Sequence, residues 1–131
     1  MKRIVTWALA ATLTLGLFAP GVAQAHVKVF NTRLTVKAND TRIDRGQRVT
    51  FSGALKGGSR KCFRAKTVTI RRGNRAIAST TTNSRGKYRV SKKVRKGGRY
   101  RATYGGFVFG AHPHNHTCTS SRSKVVRIRI A

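Results

Sequence analysis

His112, His114 and His116 stand at every second position, and Cys118 follows at the same interval. On an extended segment that spacing turns all four side chains to one side. Imidazole and thiolate are the usual ligands of zinc and copper, so the four are a candidate metal site. Binding would require neutral imidazoles, and affinity should fall as pH drops through about 6.5. Cys118 has a second use. Cys62 and Cys118 are the only cysteines, and an even pair in an oxidising compartment reads as one disulfide. The two uses exclude each other at Cys118. Acid–base hydrolysis is poorly served, because Asp40 and Asp44 are the only carboxylate side chains and there is no glutamate. Both lie in the turn 39–46, where Asx bonding explains them. No nucleophile-elbow motif appears, and no enzyme is expected.

Cations are the larger signal. Lys and Arg number 29 against two acids, a net charge of +27. Self-repulsion at that density opposes compaction, so the charge is expected to serve an anionic partner. A disordered basic tail is the bland alternative. Here the cations are interleaved singly with Val, Ile, Tyr and Phe rather than gathered into a block, which points to a folded surface.

The elements that must position these groups follow a signal peptide. Lys2 and Arg3 precede an apolar stretch at 4–18, and Ala23-Gln24-Ala25 is a small-x-small cleavage site, so 1–25 reads as an export leader. The apolar stretch is short for a membrane span, and Pro20-Gly21 breaks it. Removal of Lys2 and Arg3 leaves 26–131 as one domain with 27 Lys and Arg against two acids, net +25. Its location is then secreted, extracellular or at the cell envelope. Runs of period-2 alternation predict seven strands, at 33–38, 48–55, 66–72, 75–82, 87–92, 99–104 and 124–130. Gly73-Asn74 reads as a two-residue hairpin turn, since both residues tolerate positive φ. A long loop, 105–123, separates the last two strands. The alternation turns Leu34, Val36, Val49, Phe51, Val68, Ile70, Tyr88, Val90, Tyr100, Ala102, Tyr104, Val126, Ile128 and Ile130 inward. Arg71, Arg99, Arg101, Arg127 and Arg129 then face outward. Seven short strands predict an all-β, two-sheet sandwich, with a small barrel as the alternative.

Three segments carry a resemblance. Gly46-Gln47-Arg48-Val49-Thr50-Phe51-Ser52-Gly53, the stretch from Thr80 to Tyr88, and Gly97-Gly98-Arg99-Tyr100-Arg101-Ala102-Thr103-Tyr104 resemble, in order, motifs of bacterial immunoglobulin-like repeat domains. The resemblance covers about residues 33–130. It implies a seven-stranded immunoglobulin-like β-sandwich in a secreted or surface-exposed adhesion, spacer or ligand-binding module without enzymatic activity. It also implies a tyrosine corner at Tyr100. In that topology the loops carrying Cys62 and Cys118 emerge at one end, which makes a Cys62–Cys118 bridge natural. The strands carrying Arg71, Arg99, Arg101, Arg127 and Arg129 become neighbours in one sheet, and Arg60, Lys61 and Arg64 extend the patch around the 56–65 loop. Such a face would dock onto teichoic acids, anionic lipid surfaces, sulfated glycans or nucleic acid, with no base-specific reading. The alternative is a copper- or zinc-binding secreted protein. After cleavage His26 becomes N-terminal, and its amine and imidazole resemble the copper sites of periplasmic copper-resistance proteins and lytic polysaccharide monooxygenases. The fold would bring His26 toward His112, His114 and His116.

Overall fold

The computed structural model describes residues 27–111 and 113–131. The expected leader at 1–25, His26 and His112 lie outside the described residues. In chain order the elements are β1 Lys28–Phe30, β2 Thr32–Leu34, β3 Lys37–Ala38, β4 Arg42–Ile43, β5 Gln47–Gly57, the helical turn α1 Arg60–Phe63, β6 Thr67–Arg72 and β7 Arg75–Thr81. They continue with β8 Lys87–Val94, β9 Gly98–Tyr104, β10 Phe107–Phe109, β11 His116–Cys118, β12 Ser121–Arg122 and β13 Val126–Ile130. The described residues are thus all-β apart from one helical turn.

Three sheets form. In the first, β5 carries β2 and β3 on one edge and β8 on the other. The second runs β4-β13-β9-β6-β7, with β12 also paired to β9. A small third sheet has the order β1-β11-β10. Every residue that the alternation turned inward lies in or against one apolar cluster shared by the first two sheets. Phe51 of the first sheet stacks on Tyr100 of the second, ring centres 5.6 Å apart. Burying a side chain such as Phe51, Leu55 or Ile70 completely contributes about 1.5–3 kcal/mol each. That gain offsets the repulsion of the charged exterior.

Local chemistry explains where the strands depart from the expected ones. The strand expected at 33–38 is split into β2 and β3 without losing register, since Leu34 pairs Leu55 and Lys37 pairs Ser52. Thr35 N–H donates to Ala54 O at 3.0 Å, but the return bond goes elsewhere. Ala54 N–H donates to the Thr35 hydroxyl at 3.0 Å, and the Thr35 carbonyl accepts from the Tyr88 hydroxyl. Gly53 permits that crossing, because a Cβ there would collide with the Thr35 carbonyl and the Tyr88 hydroxyl. The β6–β7 turn is the expected Gly73-Asn74, closed by Arg72 opposite Arg75. Only Gly73 adopts positive φ, at 58°, as in turns that need it at the first central position. The strand expected at 124–130 begins at Val126. Ser123 is buried beside it, and its hydroxyl accepts from Ala102 N–H at 2.8 Å in place of a backbone partner.

The segment expected as one long loop, 105–123, holds β10, β11 and β12. These strands are short, and β11 is completed by β1 in parallel, Lys28 to Phe30 opposite His116 to Cys118. A pairing across that much chain leaves no local period to read. The Cys62–Cys118 disulfide links α1 to β11.

A candidate polyanion-binding groove

The outward residues of the second sheet converge. Strand register sets Arg127 opposite Arg99, Arg71 opposite Arg101, and Arg129 opposite Arg42. Directly opposed residues share a face, so these arginines stand side by side on the face away from the core. Arg71, Arg99 and Arg101 join Lys66 and Arg122 in lining an open groove of about 1030 Å³. Thr67, Thr69, Thr103, Gly105, Gly106 and Phe107 also line it. No carboxylate lines it.

Side-chain bonds orient part of the site. Arg71 Nε donates to Thr103 Oγ1 at 3.3 Å, and its Nη1 donates to Asn74 O at 3.2 Å. Both acceptors are neutral, so the guanidinium is held in place with its charge uncompensated. Lys66 Nζ sits 3.1 Å from the centre of the Phe107 ring, and partial burial there holds its pKa below the usual lysine range. Like charges directly across a ladder are destabilising, by roughly 0.2–1 kcal/mol per pair. The register therefore gathers arginines against their mutual repulsion, which an oxyanion placed between them would relieve.

Arg127 and Arg129 are exposed on β13 beside the groove rather than lining it. Arg60, Lys61 and Arg64 do not line it either. Arg60 and Lys61 belong to α1, and Lys61 Nζ lies 5.0 Å from the centre of the Phe109 ring, over the small sheet. Lys66, Arg122 and Phe107 belong to the groove but were not expected there. The expected third strand began at Lys66, and its period gave the exposure of odd positions only. Arg122 lay within the expected loop. The direct signal available for it was another single cation between short polar residues.

The histidine pattern resolves differently. Cys118 is bonded to Cys62, and no free cysteine is present among the described residues. The disulfide therefore removes Cys118 as a thiolate ligand. Among the described residues no group of three or more His, Cys, Asp or Glu side chains is placed to hold a metal ion. His114 is exposed. His116 packs between rings instead, 5.1 Å from Phe109 and 6.0 Å from Phe30, with its buried Nδ1 lacking a hydrogen-bond partner. His26 and His112 lie outside the described residues. Asp40 lies between β3 and β4, where its Oδ1 accepts from Arg42 N–H at 3.1 Å, and Asp44 stands at the β4–β5 turn, where its N–H donates to Gln47 Oε1 at 3.1 Å.

Among the described residues no helix is long and apolar enough to cross a membrane. Comparison with protein-family models, with curated proteins and with solved structures gave no match to this chain.

Proposed function

We propose that the chain is a secreted, non-enzymatic binding module of immunoglobulin-like fold whose groove docks onto an anionic polymer of the cell envelope or its surroundings. The observation that carries the binding is the groove itself: five cations, Lys66, Arg71, Arg99, Arg101 and Arg122, around one open volume without a carboxylate. Two strand groups sharing one core support the fold, with β2/β3-β5-β8 on one side and β13-β9-β6-β7 on the other. So does the Tyr100 hydroxyl, which donates to Lys96 O four residues upstream, the bond of a tyrosine corner. A disulfide between residues with almost no exposure suits an oxidising compartment, in keeping with the export leader.

The mechanism is electrostatic, and affinity should therefore track salt. Five phosphate contacts on a single-stranded chain would give a slope of log affinity against log salt of about −3.5. Titration of teichoic acid or heparin into the protein over a salt series measures it, and a flat response would refute the account. Arg99→Glu, Arg101→Glu, Arg127→Glu and Arg129→Glu together should abolish binding while thermal unfolding stays cooperative. Persistent binding would put the site elsewhere.

A further inference from the structure

Three phenylalanines of the small sheet follow one another ring to ring from the groove, Phe107 and Phe30 both opposite Cys118 and Phe109 opposite His116. Phe107 and Phe109 have ring centres 6.1 Å apart at an interplanar angle of 18°. Phe109 and Phe30 repeat the spacing, 6.1 Å at 13°. Each ring carries one ammonium: Lys66 at 3.1 Å from the centre of Phe107, Lys61 at 5.0 Å from Phe109 and Lys28 at 5.1 Å from Phe30. The row begins inside the groove, because Lys66 and Phe107 both line it, and it ends on β1.

We propose that the lysine-capped row continues the groove, so that the protein holds a linear phosphate polymer in single file along both. The proposal rests on the groove being an anion site. A ring beneath each ammonium restricts a side chain that would otherwise sample many rotamers, so less freedom is lost when an anion arrives. Lysine offers a compact point charge with donors left over for oxyanions. Ammoniums set one to a ring along a bent path suit a slim, flexible chain and not a duplex or a folded acidic domain. The rings act through their lysines rather than as bare platforms for bases or sugars. Covering the disulfide explains the rings, since Phe30 also packs on Gly58 beside α1. It does not explain a lysine at each of three separate chain positions.

Tripolyphosphate and long-chain inorganic polyphosphate test this on the disulfide-bonded protein. Lys28 and Lys61 are exposed and do not line the groove. Lys28→Ala with Lys61→Ala should weaken long-chain binding roughly tenfold and shrink its salt slope by about 1.4, leaving tripolyphosphate affinity unchanged. Lys92→Ala with Lys93→Ala removes the same charge from exposed positions on β8 and should leave the long chain bound. Undiminished long-chain affinity in the first pair, or an equal loss in the second, overturns the row. Tripolyphosphate binding with no advantage for the long chain defeats the row alone. Absence of binding to either probe by the unaltered protein defeats the groove and the row together.

Discussion

The outer face of the β4-β13-β9-β6-β7 sheet and the small β1-β11-β10 sheet beside it are both cationic, but they hold their charge by different physics. On the large sheet, arginines are forced together by register and stand on strands whose other face is the apolar core. On the small sheet, lysines rest one to a ring. Behind it the other face is open, with Val29 57% and Val108 61% exposed. The large sheet is backed by the apolar core. The small sheet depends on ties at its edge: the disulfide, and Thr32, whose N–H and hydroxyl donate to Thr119 Oγ1 and Thr119 O at 2.9 and 2.6 Å. Opposed cations are thus carried on a ladder that the core backs, while at the small sheet each ammonium is set apart over a ring.

The hardest blow to that contrast is removal of the bridge. Cys62→Ala with Cys118→Ala opens a 56-residue separation and should cost about 4 kcal/mol by the chain-entropy estimate. Hydrogen exchange should show β1, β10 and β11 losing protection first, with β6 and β9 still protected; uniform loss would mean the two regions are one unit. A loss confined to the large sheet's side comes from Tyr100→Phe, which deletes the bond to Lys96 O. It should lower stability by about 1 kcal/mol in chemical denaturation, without changing exchange in the small sheet.

Raising pH gives a gentler loss. Burial pushes the hydroxyls of Tyr88 and Tyr104 above the usual tyrosine value. The folded state then holds its protons where the unfolded chain releases them, so the stabilisation is complete below about pH 10 and declines above it. Tyr88→Phe should flatten that decline in unfolding measured across the alkaline range; an unchanged slope would assign it to other groups. The smallest effect is a gain. Ala65 joins α1 to β6 with φ at 52°, a left-handed conformation that disfavours a Cβ. Ala65→Gly should therefore stabilise by about 1 kcal/mol at most in chemical denaturation. A destabilised variant would show that the Ala65 methyl packs more than its strain costs.

Much of the two sheets that share the core was legible residue by residue. Leu34, Phe51, Ile70, Tyr100 and Ile128 are buried where alternation put them, and Arg99, Arg101 and Arg127 are neighbours in register. The candidate site was legible only where it lies on those strands. Lys66 reaches the groove from the link before β6, Arg122 from a two-residue strand and Phe107 from a three-residue strand, and Lys61 leaves the expected patch because α1 carries it over Phe109. The even-spaced histidines suggested shared ligation, yet His116 is packed among rings and Cys118 is consumed by the disulfide.

By itself the sequence determined what is local or additive. Period-2 alternation sorts inward from outward because adjacent side chains of a strand point to opposite faces, net charge sums without reference to shape, and two cysteines can pair in only one way. The tertiary structure alone decided that residues 28–30 pair with 116–118, that the Ser123 hydroxyl stands in for a backbone partner, and that three phenylalanines align under three lysines. Those arrangements join segments far apart in the chain, where no periodicity connects them and only the closing of the core and the Cys62–Cys118 bond brings them within reach.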